Sequence, residues 1–250
     1  MKILAQFPTF ARPEKFLRCL RAYVDKTSGK HQIFFNINCD AGDESMYNQE
    51  TINKIQEIFE TPTRSPEMKW HDNFCSGVIN FDDDTTKISS INSHIDREFD
   101  IIIVISDDMI PQVNHWDDEI TQAMLEHYPD LDGCVSFDDG YADKGGLITF
   151  SMLGRKLYDH FGYIYHPDYK SLYSDQEFTE EVKRLKKVTY IDKMIIKHEH
   201  YAEEGNSNSG DYDKAAEKTL FYSGRDGQVY ENRKALGFPK ARITTPQSRD

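Results

Sequence analysis

The chain has 250 residues, 38% of them hydrophobic, and its 43 acidic side chains outnumber the 30 basic ones to leave a net charge of −13. That length suits one large α/β domain or two small ones with a packed core. The acidic balance disfavours a general nucleic-acid-binding surface, and no apolar stretch approaches the ~20 residues that a transmembrane helix needs.

Residues 2–7 read as a first strand, which reaches Pro8 too soon for a signal peptide. Pro13 then opens a helix, where its missing N–H would be unpaired anyway, and Phe16, Leu17, Leu20, Tyr23 and Val24 follow at helical spacing. Residues 32–38 (QIFFNIN) form a second strand. Residues 48–59 form a second amphipathic helix with Ile52, Ile55, Ile58 and Phe59 on one face. A Pro/Thr/Ser connection follows over 61–66, then a third helix over 86–95 and a strand over 101–105. Strands alternating with helices imply βαβ units and a mostly parallel sheet.

The second half is less regular. Helices are expected over 116–127, 155–161 and 175–187, and strands over 133–137, 147–153 and 193–198. Residues 203–210 (EEGNSNSG) are loop by composition, and 240–250 read as a polar tail. With no repeat and no clean linker, a single domain is the simplest organisation. Cys19, Cys39, Cys75 and Cys134 are scattered without a C-x-x-C spacing, which suits reduced thiols of a cytoplasmic protein better than a zinc site.

The most informative stretch is Asp100-Ile101-Ile102-Ile103-Val104-Ile105-Ser106-Asp107-Asp108-Met109. A β-branched run of this kind is a strand buried on both faces, and ligands of open α/β sheets sit beyond the carboxyl ends of such strands. Two acids placed there can hold a hard divalent cation against a substrate phosphate, or act only as loop and cap residues.

Taken in order, four segments resemble the GT-A glycosyltransferases, in particular the family-2-like group of bacteria and their viruses. Phe7-Pro8-Thr9-Phe10-Ala11-Arg12-Pro13 is similar to the opening after that family's first strand, with Ala11 in place of the usual Asn. Asn38-Cys39-Asp40-Ala41-Gly42-Asp43 is similar to its Asp-rich turn after the second strand. Lys87 with Asn92 resembles a Lys/Asn pair on the next helix, and Ser106-Asp107-Asp108 resembles the metal-binding Asp-x-Asp motif. The resemblance covers about residues 3–200 and implies a Rossmann-like, mostly parallel sheet flanked by helices. Residues 1–110 would be the nucleotide-sugar half, 111–200 the acceptor half, and 201–250 a lid loop with a C-terminal extension.

The resemblance also implies roles. Thr9 and Asp40 would flank a nucleobase, with UDP the first choice, although Asp40 also fits an Asx turn before Gly42. Arg12, Lys87, Asn92 and Asp107 would contact the nucleotide sugar, and Asp108 would bind Mn2+ or Mg2+. Leu172-Tyr173-Ser174-Asp175-Gln176-Glu177 resembles the segment carrying the catalytic base. Asp175 is the candidate base and Glu177 the fallback, and Ser174 or Asp175 could equally cap the helix. Lys197-His198-Glu199-His200 resembles a His-x-His-Pro segment, with Tyr201 replacing the Pro. His198 or His200 would complete the metal site or touch the diphosphate, unless both are plain surface histidines. Residues 202–213 would form a lid.

Other clusters are open. Asp82-Asp83-Asp84 is expected to cap the third helix, and Asp117-Asp118 to suit a helix dipole. Asp138-Asp139-Gly140-Tyr141 can contact the acceptor or donor sugar. The aromatic run Tyr158, Phe161, Tyr163, Tyr165, Tyr169 and Tyr173 is either a sugar-stacking platform or packing. The acceptor is a glycan or another soluble hydroxyl. A modified DNA base is disfavoured by charge, and its footprint would be a basic face from Arg155, Lys156, Lys183, Arg184, Lys186 and Lys187. The rivals are a nucleotidyltransferase, for which residues 9–13 lack the Gly-rich phosphate loop, and a non-catalytic nucleotide-sugar or glycan-binding protein.

Overall fold

A computed structural model describes residues 1–60, 74–199 and 213–241. The first half is a run of parallel β-α units: β1 (Lys2–Thr9), α1 (Pro13–Asp25), β2 (Gln32–Asp40), α2 (Gln49–Glu60), β3 (Cys75–Asp82), α3 (Lys87–Asn92) and β4 (Ile101–Val104). After these come β5 (Met109–Pro111), α4 (Trp116–His127), β6 (Cys134–Asp138), β7 (Met152–Gly154) and α5 (Arg155–Phe161). The chain continues with α6 (Ser174–Arg184), β8 (Val188–Met194), β9 (Ile196–His198), α7 (Lys214–Phe221) and α8 (Ser223–Ala235).

Seven strands form one sheet in the order β3-β2-β1-β4-β7-β6-β8. β1 lies parallel to β2 and β4, and β2 parallel to β3. β7 runs antiparallel to both its neighbours, and β6 is parallel to β8. The expected α/β class with a mostly parallel sheet is therefore observed. β4 explains its own composition: Ile101 and Ile103 point into one apolar layer, Ile102 and Val104 into the other. A strand buried on both faces has no use for alternation.

The polar residues of β2 have a different cause. Asn36 and Asn38 face α3, and both donate to Gln6 Oε1, at 3.1 and 2.9 Å. Asn80 of β3 donates to the side-chain oxygens of Asn36 and Asn38 at 2.7 and 2.9 Å. A ladder of amides thus crosses three strands beneath α3, satisfying groups that would be costly to bury alone.

Several expectations need correction. β3 and β8 do not stand out in the sequence because they are the two edges of the sheet, where solvent on one side removes the apolar signature. The expected last strand, 193–198, is split between β8 and β9, which belong to different sheets. Of the strand expected over 147–153 only β7 pairs. The third helix is six residues long, and Thr86 caps it through a reciprocal bond with Ser89; Asp82, Asp83 and Asp84 do not. Asp82 instead ends β3 and meets His94 Nε2 at 2.8 Å. Asp117 and Asp118 do lie in the first turn of α4, but Asp117 is taken by Ser28, and Asp118 by Lys30 and His31. The connection expected over 61–66, and all of 242–250, lie outside the described residues.

Candidate active site

Because β1 and β4 are parallel neighbours, their carboxyl ends open onto the same side, and Thr9 meets the acid pair there: its hydroxyl donates to Asp107 Oδ2 at 3.4 Å. The turn between β1 and α1 takes Ala11 into the left-handed region at φ 57°. Asp43 Oδ2 secures that turn by accepting the Ala11 N–H at 2.6 Å. The turn aims Arg12 inward, where Nη1 donates to Asp107 at 3.2 Å while Nε and Nη2 fork Asp213 at 2.7 and 2.8 Å.

β5 and β9 form a two-stranded antiparallel sheet beside the acid pair, with Met109 opposite His198. This pairing, together with the Glu199 N–H donated to the Asp108 carbonyl at 2.7 Å, carries the imidazole over the carboxylate. His198 Nε2 lies 3.6 Å from Asp108 Oδ2, and Nδ1 lies 4.0 Å from Asp139 Oδ2. The Ser106 hydroxyl donates to Asp108 Oδ1. Burial disfavours the charge on both acids, but the outcomes differ. In Asp108, His198 and Ser106 outweigh burial and hold the carboxyl below its usual range. In Asp107, burial and the neighbouring Asp108 charge prevail over Arg12 and push the carboxyl up.

On the facing wall, α6 begins at Ser174 with Tyr173 before it in the left-handed region at φ 64°. Asp175, on its first turn, accepts the Gln176 N–H at 2.9 Å. Burial raises its carboxyl above the ordinary value, against the opposing charge of Lys87 from the first turn of α3.

Thr9, Arg12, Lys87, Asp107, Asp108, Asp175 and His198 all line one cleft of about 420 Å3. Three sequence-predicted residues are not among its lining. Asn92 uses its amide on the backbone of Ile164 and Tyr165, where it holds the loop after α5. Glu177 is buried beside Arg233, 2.7 and 2.8 Å from Nε and Nη2, and accepts the Tyr169 hydroxyl at 2.8 Å. Asp40 takes the Gly42 N–H in an Asx turn at 2.9 Å and Lys218 Nζ at 2.7 Å. His200, and residues 202–212 of the expected lid, lie outside the described residues.

The remaining clusters divide. Tyr141 lines the cleft, its ring edge-on to His198 at 5.4 Å. Asp139 instead holds its own loop, accepting the Tyr141 and Ala142 N–H groups at 2.9 Å each and the Thr149 hydroxyl. Of the aromatic run, Tyr173 reaches the cleft, whereas Phe161, Tyr165 and Tyr169 are packed in the second apolar layer. The wall supplied by α7, with Ala216, Lys218 and Leu220, escaped the sequence reading. The signal was present: Asp213 ahead of a Lys-Ala-Ala-Glu run is an N-cap followed by helix formers, and its carboxylate accepts the Ala216 N–H at 2.9 Å.

Among the described residues, no three His, Cys, Asp or Glu side chains are arranged to hold a metal ion by themselves. Asp108 and His198 offer two ligating side chains on one cleft wall. That set is compatible with a divalent cation whose remaining ligands come from substrate phosphates and water.

No family model and no curated protein matches this chain in sequence. Solved structures match it in shape. The mannosyltransferase PcManGT from Pyrobaculum calidifontis, in complex with GDP-Man and Mn2+, aligns with a TM-score of 0.63 at 11% identity, over 96% of this chain and 65% of its own. S. aureus TarS 1-349 in complex with UDP-GlcNAc aligns with a TM-score of 0.55 at 13% identity, over 85% of this chain and 62% of its own. A second S. aureus TarS structure gives 0.53 at 12% identity, over 87% and 41%. The chain has the fold of these glycosyltransferases. It spans less than two thirds of the length of each. Among the described residues, no helix is long and apolar enough to cross a membrane.

Proposed function

We propose that this protein is a metal-dependent glycosyltransferase that moves a sugar from a nucleoside-diphosphate sugar to an acceptor hydroxyl. The observation that carries the reading is the convergence of Asp108, His198, Lys87 and Asp175 in one cleft at the carboxyl ends of β1 and β4. The fold shared with PcManGT and TarS supports it.

The donor diphosphate lies against Asp108, His198 and Lys87, with Thr9, Arg12 and Asp107 along the nucleotide and sugar. Asp108 and His198 would hold Mn2+ or Mg2+, which when bound would neutralise charge on the leaving diphosphate. Asp175 takes the proton of the acceptor hydroxyl as that oxygen bonds to the anomeric carbon. The bond from the anomeric carbon to the diphosphate oxygen breaks, and the nucleoside diphosphate leaves with the electron pair. One displacement with a base on the face opposite the leaving group inverts the anomeric centre. Glu177, tied to Arg233, is not used as a base in this scheme.

Thermal unfolding with UDP, GDP, CDP, ADP and dTDP, each with Mn2+ and with EDTA, tests the reading, because a ligand of the native state raises the melting temperature. A shift for one nucleotide, lost in EDTA, is expected, with UDP the first candidate. No shift with any nucleotide overturns the donor assignment.

A further inference from the structure

Residues 164–173, between α5 and α6, have no regular secondary structure, yet Ile164, Tyr165, His166, Tyr169 and Ser171 are buried. Buried backbone N–H groups without a ladder need partners elsewhere. The Tyr169 N–H turns to the His166 carbonyl within the segment at 3.2 Å, and five others are held by two side chains from elsewhere. Asn92 Oδ1 accepts the N–H groups of Ile164 and Tyr165 at 3.0 and 3.2 Å. Asp226, on the first turn of α8 and wholly buried, accepts three in succession, from Lys170, Ser171 and Leu172, at 3.1, 2.7 and 3.0 Å.

The same helix holds the other side of Asp175. Arg233 forks Glu177 through Nε and Nη2 at 2.7 and 2.8 Å. Between these anchors, the Tyr230 ring packs on Tyr173 at 5.8 Å, against the residue whose left-handed backbone starts α6. Asp226, Tyr230 and Arg233 are spaced i, i+4 and i+7 and share one face of α8. Only residues 173–176 lie between the two ends gripped by that face.

We propose that α8 is the template that positions the base, with Asp226 and Arg233 as positioning residues that set where the Asp175 carboxylate stands in the cleft. This rests on the assignment of Asp175 as base. A left-handed non-glycine residue such as Tyr173 is strained, and it persists only where its surroundings enforce it. α8 supplies that enforcement from some fifty residues downstream of Asp175, so the C-terminal helices are part of the active site rather than an appendage.

The test is Asp226→Asn, which keeps the shape of the side chain and removes the charge gathering the three N–H groups. Transfer kinetics are measured per nucleotide-binding site, alongside Mn2+-dependent nucleotide affinity. The expected result is a 10- to 100-fold fall in kcat, with nucleotide Kd and donor KM within about twofold of wild type and the acid limb of the kcat–pH profile displaced. A merely structural role lowers the melting temperature and the number of binding sites but leaves kcat per site and the pH limb unchanged, and that result overturns the proposal. Should Asp226→Asn not fold, Arg233→Lys, which keeps the charge on Glu177 without the fork, carries the same expectation. Asp175→Asn is run beside it. If Asp175→Asn is inactive and the α8 variant is unaffected per site, the positioning role alone falls. If Asp175→Asn turns over at the wild-type rate, the base assignment falls and the positioning role with it.

Discussion

Asp108 and Asp175 are both half-buried carboxylates on the cleft wall, and their neighbours send them in opposite directions. His198 and the Ser106 hydroxyl outweigh burial at Asp108 and keep it ionised, as a cation ligand requires. At Asp175 burial prevails over Lys87, which raises the carboxyl toward the range of a working base. Asp108→Ala is expected to abolish the EDTA-sensitive thermal shift with nucleotide; a retained shift would place the metal elsewhere. Asp175→Asn is expected to keep that shift and lose transfer by roughly 100- to 10,000-fold, the usual worth of a general base. The sign of the pH dependence follows from the same residues. As the proposed base, Asp175 must be ionised to accept a proton, so kcat is expected to rise with pH through a midpoint above the ordinary Asp value of about 3.9. Lys87 on α3, His198 on β9 and the Gln176 N–H on α6 all favour the ionised form. Lys87→Met removes one of these and is expected to move the acid limb to higher pH, read at saturating donor. A limb that stays in place or moves down separates Lys87 from the base.

The elements divide by how much of their stability comes from apolar burial. β1, β4, α1 and α4 announce themselves because each has a buried apolar face: Phe16, Leu20, Tyr23 and Val24 of α1 are inaccessible to solvent, as is Trp116 of α4. β3 and β8 stay hidden because an edge strand is held by backbone pairing, which any sequence can supply. α3 lies between these cases, shortened to one capped turn and a half because Ser93 after it is already extended. The amide ladder of Gln6, Asn36, Asn38 and Asn80 depends on tertiary contact entirely. Asn38→Ala leaves Asn80 and the Ser90 carbonyl, which accepts from Asn38 at 2.8 Å, without that partner. A loss of about 1–3 kcal/mol is expected, measured as a lower urea midpoint with unchanged slope. A shift below about 0.5 kcal/mol would mean that the ladder re-forms around the gap.

At the scale of the molecule, charge decides what kind of acceptor can approach. The basic residues that could have marked a DNA-facing surface are largely neutralised by acids of the same region. Arg155 pairs with Asp159 at 2.8 Å, Lys156 with Asp130 at 2.8 Å, Arg184 with Glu181 at 2.7 Å and Lys187 with Asp132 at 2.6 Å. Lys183 is turned onto the Gly145 and Gly146 carbonyls. A net charge of −13 disfavours a counterion-release drive toward a duplex. Fluorescence anisotropy of a labelled duplex is expected to show no binding at 0.15 M salt, and saturable binding there would reopen a nucleic-acid acceptor. The glycan or small hydroxyl acceptor expected from the sequence needs no such drive, and Tyr141, Tyr173 and Tyr222 line the cleft.

The sequence by itself determined the α/β class, the order of the first two β-α units, and the identity of Thr9, Arg12, Lys87, Asp107, Asp108, Asp175 and His198 as candidates. These are legible because local chemistry writes them: a two-faced apolar run, acids at its carboxyl end, a proline at a helix start. Only the tertiary structure decided which candidates face the cleft. Asn92 and Glu177 carry the same side chains in any sequence-based reading, but they are spent on Ile164 and Arg233, partners 72 and 56 positions away. The wall from α7 and the grip of α8 on the Asp175 segment were hidden for the same reason. Hydrogen bonds and ion pairs between segments distant along the chain leave no periodic trace in either one, so they exist only once the chain has closed on itself.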